Sequence, residues 1–140
     1  MIPVLCLIKK NKKMNTIATI LVAFIALEHL YILYMEMFAW TTLGKKTFRS
    51  LDPSLFEPTK TLAANQGLYN GFLSAGLIWS LLISDEEWRL KVALFFLICV
   101  SVAGIYGAMT AGKRIFYVQA LPALIASAVV AYLLEALINF

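Results

Sequence analysis

Ala26-Leu27-Glu28-His29-Leu30-Tyr31-Ile32-Leu33-Tyr34-Met35-Glu36-Met37-Phe38-Ala39-Trp40 is the stretch whose reading decides the fold. It lies inside an apolar segment that begins near Ile17, yet it carries three ionisable groups, Glu28, His29 and Glu36. Such groups at membrane depth cost about 2.5 kcal/mol or more each on insertion scales, so they turn toward a bundle interior or a wet cavity. At ~100° per residue, His29 and Glu36 differ by about 20° around a helix, and Trp40 falls about 20° to the other side. Glu28 lies about 80° from Glu36, on the edge shared with Tyr31 and Met35. One helical face therefore aligns a carboxylate, an imidazole and an indole.

The composition around this stretch is that of a membrane protein. Of 140 residues, 61% are hydrophobic and 14% charged, against about a quarter charged in a soluble domain. The mean hydropathy is +0.82. Such a chain is long enough for four membrane helices and little else. Its net charge of +4 is no sign of nucleic-acid binding, because the Lys and Arg residues sit in short flanks where they act as topology signals. Cys6 and Cys99 occupy unrelated settings and suggest neither a disulfide nor a metal site. Cys99 reads as a small buried apolar residue.

In chain order, Met1 to Lys13 is a short apolar run followed by Lys9, Lys10, Lys12 and Lys13. This run is too short to span a bilayer, and its charges follow the apolar region where a signal peptide would put them before it. Residues 1–14 therefore read as an N-terminal extension, with Met14 as the physiological start. Residues 15–140 read as one all-α domain, an up-down four-helix transmembrane bundle with helices over about 15–40, 58–84, 91–111 and 115–138. Residues 41–57 form the main polar loop, and Glu57-Pro58 suits a helix start. Asp85 to Glu87 and Gly112 to Arg114 make the two tight turns that put neighbouring helices antiparallel. With the N-terminus inside, the short flanks hold six Lys and Arg on each side (Lys9, Lys10, Lys12, Lys13, Arg89 and Lys91 against Lys45, Lys46, Arg49, Lys60, Lys113 and Arg114). Starting at Met14 makes the count two against six. The 41–57 loop is then cytoplasmic and both termini lie outside.

The second helix opens with Asn65-Gln66-Gly67-Leu68-Tyr69-Asn70-Gly71. Gln66 and Asn70 share a face, with Ser74 one turn on. Gly67, Gly71 and Ala75 make a small-residue ridge that admits a neighbouring helix closely. Asn65, Gln66, Tyr69 and Asn70, with Tyr106 of the third helix, are the candidates to line a pocket with Glu28, His29, Glu36 and Trp40. The plainer reading is that the amides are interhelical glue, and that His29 simply pairs with an acid. Ser101, Ala103, Gly104, Gly107, Ala108 and Ala111 of the third helix form a second small-residue ridge, expected to pack against the second helix. Pro122, near Gln119 and Ser127, is expected to kink the fourth helix and release carbonyls beside a cavity. Glu135 reads as an interfacial snorkel.

No Gly-rich phosphate loop, metal-ligand cluster or nucleophile elbow is present in the sequence, so no metal and no cofactor is expected. Three function classes remain open. The leading one is a membrane protein that binds a small amphipathic molecule or lipid between helices one and two. The second is an intramembrane enzyme using Glu28 or Glu36 with His29 as an acid–base pair. The third is an oligomeric small transporter or channel subunit. Homo-oligomerisation is expected from the apolar surface that four helices expose.

The blocks Glu28 to Ile32, Leu33 to Thr41 and Leu62 to Leu73 resemble a known family, the small bacterial membrane proteins grouped as domain of unknown function 1304. The resemblance runs from about Met14 to the C-terminus. It implies four spans in the bacterial inner membrane and a start just before the first helix, and it implies no activity. A weaker likeness, of layout only, is to the membrane-associated eicosanoid and glutathione metabolism family, which is four-helix and trimeric. That family's second helix carries an Arg-Ala-x-x-Asn-x-x-Glu pattern. Here Leu62 to Ala64 precede Asn65 and Leu68 follows it, so the arginine and the glutamate are both missing.

Overall fold

The computed structural model describes residues 4–139, with side chains described from Lys12 onward. All regular structure among the described residues is helical. Helix α1 covers Val4–Phe38, α2 is the short Lys45–Thr47, α3 covers Lys60–Leu82, α4 covers Glu86–Thr110 and α5 covers Leu121–Ile138. The first helix thus begins well before Asn15. The expectation of a separate extension over residues 1–14 falls mostly on side chains outside the described set.

Among the described residues three segments are long and apolar enough to cross a membrane: Lys12–Phe38, Glu86–Thr110 and Phe116–Ile138. Helix α3 has the length, with 23 residues, but Asn65, Gln66 and Asn70 fill its first half with amides and lower its hydropathy. All five α-helices are thus present, and three are compatible with membrane crossing.

The chain divides into two compact units, one of Ala26–Ala75 and one of Met1–Ile25 with Gly76–Phe140. In the second of these, α4 buries Leu90, Ala93, Leu97, Val100, Ser101 and Gly104, a spacing of three and four that marks one helix face. Helix α5 buries Ala123, Ala126, Val130 and Leu133 in the same rhythm. The close approach is made by Gly104. A Cβ there would stand 2.8 Å from the Ala120 backbone nitrogen and 3.0 Å from its Cα. Gln119 Nε2 donates across to the Val100 carbonyl at 3.3 Å.

At Pro122, where a kink is expected, the helix changes type. A π-helical turn, Phe116–Ala120, precedes α5, and Pro122 falls within the first turn of α5. A proline ring clashes with the carbonyl four residues back in a regular helix. The wider turn, closed by the Leu121 amide on the Phe116 carbonyl, removes that conflict before it arises.

Helix α4 starts cleanly. Asp85 is extended and its side chain accepts from the Trp88 amide at 2.8 Å, while Glu86 and Glu87 occupy the first turn, where acids favour the dipole. Arg89 Nη2 reaches Asn15 Oδ1 at 3.1 Å and Glu86 Oε1 at 3.3 Å, and Asn15 Nδ2 donates to the same Glu86 oxygen at 2.5 Å. This clamp ties α1 to the start of α4. Outward from both units stand large apolar side chains, among them Phe24, Leu27, Phe72, Phe95, Val102 and Ile125. An apolar surface of that extent suits hydrocarbon rather than water.

Candidate functional site

The unit Ala26–Ala75 holds most of the polar positions that the sequence singles out. Its two long segments are the end of α1 and the first part of α3. They meet where α3 has no side chain. A Cβ on Gly67 would lie 2.7 Å from Met37 Cγ, 3.0 Å from the Leu33 carbonyl oxygen and 3.1 Å from Glu36 Cβ. Only glycine permits that approach, and it brings the amide face of α3 onto the carboxylate face of α1.

At this contact Asn70 Nδ2 donates to Glu36 Oε2 at 2.9 Å, and the same nitrogen lies 3.1 Å from the carbonyl of Gln66. One turn further along, Ser74 is fully buried and its hydroxyl donates to the Ala26 carbonyl at 2.7 Å. Glu36 is therefore an acceptor held by the neighbouring helix.

Glu28 is in a different situation. Both of its carboxylate oxygens are buried, and neither has a hydrogen-bond partner among the described residues. His29 is completely buried at 0% exposure. Because Glu28 and His29 are consecutive, their side chains leave α1 about 100° apart. His29 and Glu36 share a face but stand two turns apart, about 10.5 Å along the axis.

The remaining predicted residues are distributed differently. Asn65, Gln66 and Tyr69 are exposed, Tyr69 with its ring 6.3 Å from that of Phe72. Tyr106 lies in the other unit and is 68% exposed. Trp40 is half-buried and is the centre of a cap made from the loop. Its ring lies 5.5 Å from Phe48 and 5.0 Å from Phe56, and its Nε1–H donates to Thr59 Oγ1 at 3.0 Å. Phe56 is 1% exposed, with the Lys45 ammonium 5.9 Å over its ring. A π-helical turn, Trp40–Gly44, brings the chain around beneath it, closed by the Gly44 amide on the Ala39 carbonyl at 3.1 Å.

Residues 41–57, the main polar loop of the sequence, thus fold into a cap over Trp40. Its far end turns on Asp52, whose side chain accepts from the Ser54 hydroxyl at 2.7 Å and from the Ser54 amide at 2.8 Å. Those two bonds hold the Asp52 carboxyl below the usual carboxylate range. Their help to the turn is present above that range and is lost as the pH falls through the lowered value.

Sequence reasoning missed the Trp40–Phe48–Phe56 cluster and Thr59, since their spacing follows no helical or strand period. Ser74 could be found from its place on the Gln66–Asn70 stripe. Among the described residues no group of three His, Cys, Asp or Glu side chains is gathered to hold a metal ion.

A family model described as "Protein of unknown function (DUF1304)" matches residues 23–131. The match takes in Glu28, His29, Glu36 and Asn70. The chain is also similar to "Uncharacterized protein YpaA" of Lactococcus lactis subsp. lactis (strain IL1403), with 36% identity over 110 residues, covering 76% of this chain and 89% of that protein. No solved structure matches.

Proposed function

The chain belongs to the DUF1304 family of proteins of unknown function, and from that premise we propose that it is a small multi-pass protein of the bacterial inner membrane that binds an amphipathic molecule at the polar face of α1. In this reading α1, α3, α4 and α5 all cross the bilayer as an up-down bundle. The chain self-associates through the apolar surface left outside, and residues 41–57 lie in the cytoplasm. The ligand carries a hydrogen-bond donor, an amine or a hydroxyl, on an apolar body.

The observation that carries the proposal is Glu28. A buried carboxylate without a partner forfeits the hydration of its oxygens, and a native fold rarely leaves that uncompensated. Glu36, eight residues on, has its donor in Asn70, so the two acids do different work. Glu36 joins helices, and Glu28 is the group available to a ligand. An amine or hydroxyl brought in by an amphipathic molecule supplies what the protein does not, while its apolar part replaces lipid.

Native mass spectrometry of the protein released gently from its own membrane tests this directly. The wild type is expected to carry a non-protein mass that Glu28→Gln loses and Glu36→Gln retains. A bare protein, or a bound mass indifferent to Glu28, overturns the proposal.

A further inference from the structure

The unit Met1–Ile25 with Gly76–Phe140 contains a concavity, none of whose residues belongs to the unit that holds Glu28 and Glu36. Trp79 near the end of α3, and Trp88, Lys91, Val92, Phe95 and Phe96 at the start of α4, line a groove of about 280 Å³. Gly76 makes room for its floor, because a Cβ there would collide with the Phe96 ring. Phe95 braces Phe96 edge to face at a centroid distance of 5.2 Å. The volume falls just short of the ~300–1,000 Å³ of pockets that enclose a whole drug-sized ligand. An open apolar trough of this size suits one alkyl chain lying along it.

The groove is lined almost wholly by apolar side chains, and Lys91 is the charged residue that borders it, with Glu87 next to it through their bond. Lys91 Nζ stands 5.3 Å over the Trp88 ring and hydrogen-bonds the Glu87 carboxylate. The side chains of that pair are 42% and 48% exposed, so water already competes for both charges and exchange of partners costs little. Arg89 is committed to Glu86 and Asn15, and Asp85 to the Trp88 amide. What the rim offers an incoming headgroup is therefore one ammonium beside one carboxylate.

We propose that this groove is a binding site for a zwitterionic phospholipid with a primary ammonium headgroup, the phosphate meeting Lys91, the ammonium meeting Glu87, and one acyl chain lying over Val92, Phe95 and Phe96. Charge complementarity selects this class. An anionic lipid would satisfy Lys91 but would bring its negative charge against Glu87, with Glu86 and Asp85 close by in sequence. A choline headgroup would match the charges but has no N–H to donate to the carboxylate. Trp79 and Trp88 are amphipathic rings of the kind that sit at headgroup level, which sets the depth at which the headgroup would lie.

The test is lipid retention by the purified full-length protein, read by native mass spectrometry after equilibration with equal amounts of phosphatidylethanolamine, phosphatidylglycerol and phosphatidylcholine of identical chains. Phosphatidylethanolamine is expected to be retained over either competitor by roughly threefold to fivefold, the scale of one exposed charge pair. The double variant Glu87→Gln/Lys91→Gln, whose positions are water-facing and safe for folding, is expected to lose that preference, while Glu28→Gln keeps it. Equal or greater retention of either competitor overturns the proposal. So does a wild type that holds no lipid, a preference that survives the double variant, or a variant that changes the number of chains in the assembly instead of the lipid count.

Discussion

At Asn70 a single amide nitrogen serves two acceptors, the Glu36 carboxylate on the neighbouring helix and the Gln66 carbonyl on its own. Interhelical polar bonds of this sort contribute about 0.6–2 kcal/mol in membrane proteins. Asn70→Ala removes the donor and leaves the carboxylate behind, so it should lower stability by about 1 kcal/mol or somewhat more. Glu36→Gln keeps an acceptor oxygen in the same place and should cost clearly less, under about 1 kcal/mol. Thermal unfolding in detergent micelles compares the two variants, and equal losses would contradict the structural role given to Glu36. Helical angles in the sequence made Glu36 and the amide stripe candidates for one pocket, but did not single out the Glu36–Asn70 bond. The outcome for Gln66 was not legible either. A spacing of four still rotates a side chain by about 40°, and that rotation carries Gln66 out to the exposed side while Asn70 stays within reach of α1. Glu28 shows the same limit from the other direction. Its position in an apolar run was plain, but whether a neighbour would supply a donor depends on contacts that no local pattern encodes.

Among the elements, α4 and the π-helical turn before α5 depend on Gly104 more than on any large side chain. The virtual Cβ at that position meets backbone, the Ala120 nitrogen at 2.8 Å and Cα at 3.0 Å, and backbone cannot swing aside as a flexible side chain can. Gly104→Ala should therefore destabilise by about 1–3 kcal/mol, the scale of an overpacked core, although alanine is the better helix former. Gly112, where an added Cβ would meet no atom within 4 Å, is the control. Gly112→Ala should be close to neutral, and the same unfolding measurement on both decides whether space or propensity governs. The small-residue ridge that includes Gly104 was visible in the sequence as a place of close approach, but its expected partner was the second helix, whereas Gly104 meets Ala120 and Gly107 meets Ile115, both ahead of α5. The π-helical turns were not visible. The one before α5 stands just ahead of Pro122, and neither is marked by a regular spacing of residues. The aromatic cap belongs with them. Trp40, Phe48 and Phe56 come together at no regular spacing, so a segment rich in Lys, Thr and Ser read as the main polar loop, although its core is a buried phenylalanine.

For the molecule as a whole, the decisive element is α3. Its 23 residues would cross a bilayer of ordinary thickness, but its amides keep it apart from the three segments that qualify on apolarity. Those amides have a use that hydropathy does not count. Asn70 is bonded to Glu36 and to the Gln66 carbonyl, and a polar group satisfied within the protein does not have to be transferred bare into hydrocarbon. On that argument α3 is expected to cross as well, which is what the proposed four passes require. Cysteines placed one at a time at Lys46, Asp85, Lys113 and Asn139, in a background with Cys6 and Cys99 changed to Ser, report the arrangement through a membrane-impermeant thiol reagent. With four passes and both termini outside, Asp85→Cys and Asn139→Cys should label in intact cells, and Lys46→Cys and Lys113→Cys only after permeabilisation. If α3 lay in the interface instead, Lys46→Cys and Asp85→Cys would label together on one side. In that case the Glu36–Asn70 bond would be a surface contact near the headgroups, and the polar face of α1 would open to water along its upper turns rather than being sealed by a neighbouring span.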